Sequence, residues 1–246
     1  MSRLGDAHGA LAGLRVVDLT QMLAGPICTQ VLADHGAQVL KVESLGGDGI
    51  RSSGPFRPDD ELRAFGGYFQ SVNRNKSSIA LDLKQAQGRD VLLRLVQDAD
   101  VLVENFRAGV MERLGLGYEE LRERNPRLVY ATIRGFGDPR SGQSPYAHWP
   151  AYDVVAQAMG GIMSITGAAD GGPTKIGPGV GDIVPGLMLV IGILSAVHHA
   201  QRTGRGQFVD VAMTDSVLAL CERIVYQQSY EDRTPGPEGN RHPLLG

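Results

Sequence analysis

The sequence predicts an α/β fold with a Rossmann-like, mostly parallel sheet flanked by helices. Three observations carry this expectation. Short apolar runs rich in β-branched residues recur between Leu14 and Arg134. Segments with helical periodicity fall between them. Glycine and proline breakers, such as Gly25-Pro26 and Gly36, separate the two kinds of segment. Strands that alternate with helices make βαβ units, and such units build parallel sheets.

Leu14 to Thr20 (LRVVDLT) reads as the first strand. Pro26 suits the first turn of a helix, where its missing N–H has no partner to lose, and Gly36 is a natural stop after about His35. Gln38 to Glu43 is a second strand. Residues 44–67, with six glycines and two prolines, read as an irregular loop. Ser78 to Leu83 is a third strand. A helix over about 87–98 follows, with Val91, Leu92, Leu95 and Val96 on one face. Val101 to Phe106 is a fourth strand, 109–124 a helical segment, and Leu128 to Arg134 a fifth strand. Asp153 to Met163 reads as helical, and a glycine-rich connection over 167–181 leads to an apolar helix over roughly 183–201. Phe208 to Met213 is a further strand, and Thr214-Asp215-Ser216 opens another helix. The expected division is a large α/β domain over 1–225 and a turn-rich linker over 226–246, leading toward a second domain absent from this chain.

The 246 residues suffice for a sizeable core. With 42% hydrophobic and 21% charged residues, the composition is that of an ordinary globular protein. A net charge of −3 gives no reason to expect a nucleic-acid partner. Cys28 and Cys221 are too few and too far apart in sequence for a disulfide framework or a metal site, and a reducing, cytoplasmic setting is the expectation. The N-terminus lacks a charged-then-apolar signal pattern. The most apolar stretch, Ile183 to Val197, is shorter than the ~20 residues of a bilayer span. It is read as a buried helix, with no membrane partner.

Ligands of open parallel sheets bind outside the carboxyl ends of the strands. The residues there are Gln21, Met22, Leu23 and Ala24 after the first strand and Lys84 after the third. Asn105, Phe106, Arg107 and then Arg113 follow the fourth, and Gly135 and Phe136 the fifth. Three cations beside apolar side chains suit a ligand that has phosphates and a flat or apolar body. Taken singly, Arg107 and Arg113 read equally as solvated surface residues and Lys84 more often as structural, so the coincidence of all three at strand ends is what favours a ligand. Neither GxGxxG nor GxxxxGK[ST] occurs, so dinucleotide binding and nucleotide hydrolysis are disfavoured. HExxH, CxxC and GxSxG are absent too, and no metal site is expected.

Asp182 sits in GPGVGDIVPG, before the apolar helix. Such an aspartate reads as a helix N-cap, with Pro185 in the first turn. By pattern alone the cap is the favoured reading, and the other is a nucleophile or proton-transfer base in a glycine-rich, closely approachable loop. The two readings are compatible.

The ordered segments LAGLRVVDLTQMLAGPICTQVLADHGAQVLKVE, NRNKSSIALDLK, DVLVENFRAGVMERLGLGYEELRERNPRLVYATIRGFG, AYDVVAQAMGGIMSITG, GPGVGDIVPG, TGRGQFVDVAMTDSVLAL and GNRHPLL resemble the class III (CaiB/BaiF-type) CoA-transferases, the formyl-CoA-transferase-like family. The likeness covers nearly the whole chain. It implies the large domain of that fold without its C-terminal part. It also implies transfer of coenzyme A from an acyl-CoA thioester to a small carboxylic acid, with CoA serving as substrate and product thioester and no metal. Asp182 matches the catalytic aspartate, which works through a mixed anhydride and an aspartyl-CoA thioester. CoA contacts are implied at Leu23, Ala24, Leu81, Lys84, Asn105, Phe106, Arg107, Arg113, Tyr152 and Asp153. Family members are longer, fold as two domains and form interlocked homodimers. Two positions depart from the pattern, since Ser44 and Pro150 stand where some members carry basic residues. The α-methylacyl-CoA racemases share the fold, but their second acid/base, a histidine thirty positions before the aspartate, is Tyr152 here. A tyrosine of pKa about 10 is a poor base at neutral pH. A third reading is a non-catalytic CoA-binding fragment, or a subunit that needs a partner.

Overall fold

In the computed structural model, which describes residues 8–241, six strands pair into one sheet and every pairing is parallel. The strands are β1 (Arg15–Asp18), β2 (Gln38–Glu43), β3 (Ser77–Ala80), β4 (Val101–Glu104), β5 (Val129–Arg134) and β6 (Phe208–Ala212). Their spatial order is β3-β2-β1-β4-β5-β6. The order reverses between β1 and β4, so the chain leaves a crevice at the carboxyl ends of those two strands.

The helices are α1 (Ala24–Asp34), α2 (Gly67–Asn73), α3 (Ala86–Gln97), α4 (Val110–Arg113), α5 (Tyr118–Arg124), α6 (Asp153–Met159), α7 (Val180–Thr203), α8 (Met213–Leu220) and α9 (Glu222–Glu231). Alternate residues of a strand face opposite sides of a sheet. Val101 and Val103 of β4 therefore join one core with α1 and α7, while Leu102 joins a second core with α3 and α5. All four β4 residues are buried, as a parallel strand covered on both faces requires.

Several boundaries differ from the sequence-based expectation, each for a local reason. The third strand stops at Ala80, and residues 81–83 turn toward α3. The loop over 44–67 contains a 3₁₀ turn at Gly49–Ser52 and ends as α2 begins. The Arg51 guanidinium lies 3.8 Å over the Phe69 ring, which pins α2 down. The segment over 109–124 breaks into α4 and α5 around Gly115, whose φ of 68° no continuous helix accommodates. The helix expected over 153–163 ends at Met159, and a 3₁₀ turn at Ile162–Ile165 follows. Residues 222–231 are helical, so α9 crosses the expected domain boundary at 225.

The apolar helix α7 is longer than its most apolar stretch suggested. It has 24 residues, and Pro185 is its sixth, so the proline lies beyond the first turn. By length and composition α7 is apolar enough to cross a membrane, and 44% of its most apolar window is buried in this fold. The buried stripe (Leu189, Val190, Ile193, Ala196, Val197) packs with β5 and α1, while Leu187, Ile191 and Leu194 are exposed. A Cβ on Gly186 would lie 2.3 Å from Ile27 Cγ2. Only glycine permits this approach of α7 to α1. Both cysteines are fully buried, and burial raises the Cys28 thiol well above its ordinary range.

Candidate active site

The turn from β1 into α1 is built around a buried aspartate. Asp18 accepts hydrogen bonds from Thr20 N (2.8 Å), Thr20 Oγ1 (2.5 Å) and Thr29 Oγ1 (2.7 Å), and an ion pair from Lys76 Nζ (3.0 Å). Burial would raise this carboxyl, but Lys76, Lys41 and the two threonines outweigh it and hold it below the usual carboxylate range. Lys41 is also buried, donating to Thr20 O at 2.6 Å and pairing with Asp48 at 3.0 Å. So held, the turn forces Met22 into the left-handed region, φ 68°, a strained conformation for a side chain of this kind.

A second clamp sets the loop after β4. Arg134 on β5 donates from Nη2 to Glu104 Oε1 at 2.8 Å and from Nε to Asp138 Oδ2 at 2.5 Å, and its Nη1 donates to Phe106 O. Glu104 Oε2 accepts from Phe106 N at 2.7 Å. Complete burial pushes Glu104 up to about 7, against the pull of Arg134. The side chain of Asn105 then ties the two strand-end loops together. It accepts from Gln21 N at 2.9 Å and donates to Gln21 O at 2.8 Å.

Two joined clefts open on these loops. The larger, about 630 Å³, runs past Glu43–Asp48, Leu81, Lys84, Val110 and Arg113. The smaller, about 190 Å³, is lined by Met22, Ala24, Tyr68, Arg107, Tyr152 and Asp182 among others. Gln21 and Phe106 line both. Lys84, Arg107 and Arg113 are exposed, and none makes an ion pair among the described residues. Lys84 and Arg113 stand in the larger cleft, and Arg107 stands with the Asp182 carboxylate in the smaller one. A cavity of about 840 Å³ at the opposite, amino ends of β1 and β2 is larger, but it holds neither Asp182 nor these cations. The strand-end rule and the carboxylate both favour the joined clefts.

Asp182 is the third residue of α7, and its side chain accepts no hydrogen bond among the described residues. It does not cap the helix. The cap comes from α6, where Asp153 Oδ1 accepts from Gly181 N at 2.9 Å. Burial, and next the negative charge of Asp153, push Asp182 up to about 7. Gln157, fully buried, holds Asp153 in place by donating to both of its carboxylate oxygens, at 2.9 and 3.0 Å.

The model of CoA-transferase family III matches residues 11–246. The chain belongs to this family. It is 58% identical to a succinyl-CoA:mesaconate CoA-transferase of Haloarcula hispanica over 96% of its own length and 60% of the relative's. It is 46% identical to an acetyl-CoA:oxalate CoA-transferase of Acetobacter aceti, over 96% of this chain and 59% of the relative. The crystal structure of a CaiB/BaiF family protein from Brucella suis superposes with a TM-score of 0.89 at 42% identity, covering 96% of this chain and 61% of that one. The chain therefore spans about 60% of the length of these relatives.

Of the positions that the likeness to CoA-transferase family III implied, Leu81, Lys84 and Arg113 line the larger cleft, and Phe106 lines both. Ala24, Asn105, Arg107, Tyr152 and Asp182 line the smaller. Leu23 and Asp153 line neither. Leu23 lies against Gly179, and Asp153 is turned toward the start of α7. Sequence reasoning missed Tyr68, Trp149 and Arg134, all three of which line the smaller cleft. Tyr68 was hidden because residues 68–76, between the loop and the third strand, carried no helix signal, although α2 starts at Gly67. Arg134 was hidden because it ends an otherwise apolar strand.

Proposed function

We propose that this CoA-transferase carries CoA through Asp182, taking it from an acyl-CoA thioester and giving it to a carboxylic acid. The observation that carries the reading is Asp182 itself, a carboxylate without a hydrogen-bond partner among the described residues. It lies in the smaller of the two joined clefts, and the larger bears Lys84 and Arg113. Joined clefts suit a long substrate, with phosphates on the cations and the thioester at the carboxylate.

The Asp182 carboxylate attacks the thioester carbonyl. The C–S bond breaks, CoA leaves as thiolate, and an acyl-aspartyl anhydride remains. The thiolate attacks the aspartyl carbonyl and displaces the donor acid as carboxylate, leaving an aspartyl-CoA thioester. The acceptor carboxylate attacks that thioester to form a second anhydride, and the thiolate then takes the acceptor acyl group. Asp182 is regenerated and no net proton is consumed. The identity with the Haloarcula enzyme favours small dicarboxylic acids, with succinyl-CoA as donor and mesaconate as acceptor the first pair to test.

A panel of acyl-CoA donors and acids, followed by chromatography of the CoA esters, tests this reading. Acceptor-dependent formation of a new CoA ester, abolished in Asp182→Asn, supports it. Loss of α-deuterium from a 2-methylacyl-CoA without any acceptor would replace it with racemisation. Calorimetric CoA binding with no turnover would leave a binding module.

A further inference from the structure

Asp153 occupies an unusual place for a residue whose family position points to CoA. Its Oδ1 receives the N–H of Gly181 across 28 residues of sequence, one residue before Asp182. Lys175 Nζ lies 3.2 Å from Oδ2 and donates to Ile176 O (2.7 Å) and Gly177 O (3.2 Å). Gln157 accepts from Ile176 N at 2.9 Å as it donates to Asp153. The carboxylate is thus the centre of a network that fixes residues 175–181, the stretch feeding Asp182 into α7. The backbone agrees. A Cβ on Gly181 would lie 2.6 Å from Asp153 O and 3.0 Å from Ala156 Cβ, so α6 rests directly on the first turn of α7.

We propose that Asp153 is a positioning residue for Asp182. It caps α7 in place of Asp182, frees the Asp182 carboxylate to face the cleft, and makes no contact with CoA. The proposal rests on the reading of Asp182 as the reactive carboxylate. An N-cap normally supplies its own side-chain acceptor to the helix it starts. Here that position is Gly179, which has none, and the acceptor arrives from another helix. If Asp182 capped its own helix, its lone pairs would be directed at backbone N–H groups and withdrawn from the thioester. Among the described residues, the charged and titratable groups that act on Asp182 or line the cleft with it are Asp153 from α6, Tyr152 just before α6, Tyr68 from α2, Arg107 after β4 and Arg134 from β5, while Lys175 pairs with Asp153. Asp153 is the only carboxylate among them, so it tunes Asp182 as well as placing it.

The test compares Asp153→Asn, which keeps an acceptor for Gly181 N–H but removes the charge, with Asp153→Ala, which removes both. Three quantities are read in the protein: the titration of Asp182 by carboxyl ¹³C NMR, CoA affinity by calorimetry, and the separate changes in kcat and KM. In Asp153→Asn the Asp182 midpoint falls by about half a unit or more. CoA affinity stays within about twofold in both variants. The kcat falls about tenfold in Asp153→Ala and less in Asp153→Asn, in keeping with the loss or retention of one capping interaction. A CoA affinity loss of about tenfold with an unmoved Asp182 titration would show a CoA contact and overturn the proposal. If Asp153→Ala does not fold, the asparagine variant still decides. If the wild type transfers no CoA, the reading of function fails, while the NMR titration continues to report on the positioning.

Discussion

Gln21 and Asn105 are joined by a reciprocal pair of hydrogen bonds, 2.9 and 2.8 Å, between the backbone of one strand-end loop and the side chain of the next. The crevice at the reversal of strand order therefore has a latch. Asn105 uses one amide oxygen and one amide N–H on Gln21, so its first role in this fold is to hold the loops that a CoA substrate would cross. Asn105→Ala removes both bonds, a loss of about 1–3 kcal/mol at roughly 1 kcal/mol each and more if a backbone group is left unpaired. We expect the KM for acyl-CoA to rise about tenfold with a smaller fall in kcat, because binding geometry suffers before chemistry does. Asn105→Asp keeps the acceptor, and its effect should be smaller.

The proposed reaction needs Asp182 ionised. Burial first, and the Asp153 charge second, raise it to about 7. Below that pH the carboxyl is protonated and could not act as the proposed nucleophile. The kcat/KM should therefore rise tenfold per pH unit on the acid side and level off above about 7. A steady-state profile from pH 5 to 9 checks this, and a plateau already reached at pH 5 would contradict it.

The same shift makes a stability prediction. A carboxyl whose folded pKa is raised favours the fold fully below its unfolded pKa, about 3.9, and loses that contribution as pH rises through the folded value. Asp182→Asn lacks the loss. It should be more stable than wild type by on the order of 2 kcal/mol at pH 8 and close to wild type at pH 4. Denaturant titrations at the two pH values measure this. The reactive carboxylate would then be a site where stability is given up for activity.

Gly181 and Gly186 hold α7 against α6 and α1. An added Cβ would lie 2.6 Å from Asp153 O at the first and 2.3 Å from Ile27 Cγ2 at the second. Overpacking of this kind costs about 1–3 kcal/mol. Both alanine variants should lower Tm. Gly181→Ala should also depress kcat beyond its effect on stability, since it displaces the turn that carries Asp182, whereas Gly186→Ala should not. Activity at a temperature well below both melting transitions separates the two effects.

Much of this fold was legible in the sequence because its signals were local. The strand cores of β2, β4 and β5 are short β-branched or apolar runs, and Gly25-Pro26 and Gly36 bracket α1 where the breakers predicted. What was hidden depended on tertiary partners. Lys41 and Lys76 look like solvated cations, yet both are buried because Asp48 and Asp18 meet them from other parts of the chain. The helix α2 has few helix formers and is held by burial of Phe69 and Val72. The left-handed Met22 gives no sequence signal, for nothing in its side chain favours that conformation. The capping carboxylate of α7 was sought next to the helix, at Asp182, and it lies 28 residues upstream of Gly181, at Asp153. In the site itself, the cations and Asp182 were legible as residue types at strand and helix ends. Tyr68 and the Glu104–Arg134 clamp needed the structure.

Covalent capture at Asp182 tests the central claim most directly. The protein is incubated with an acyl-CoA donor, quenched with hydroxylamine or borohydride, digested and analysed by mass spectrometry. The account predicts an acyl-CoA-dependent adduct on the peptide containing Asp182, absent without donor and absent in Asp182→Asn. Turnover with no adduct at Asp182, or with an adduct at another carboxylate, would contradict it.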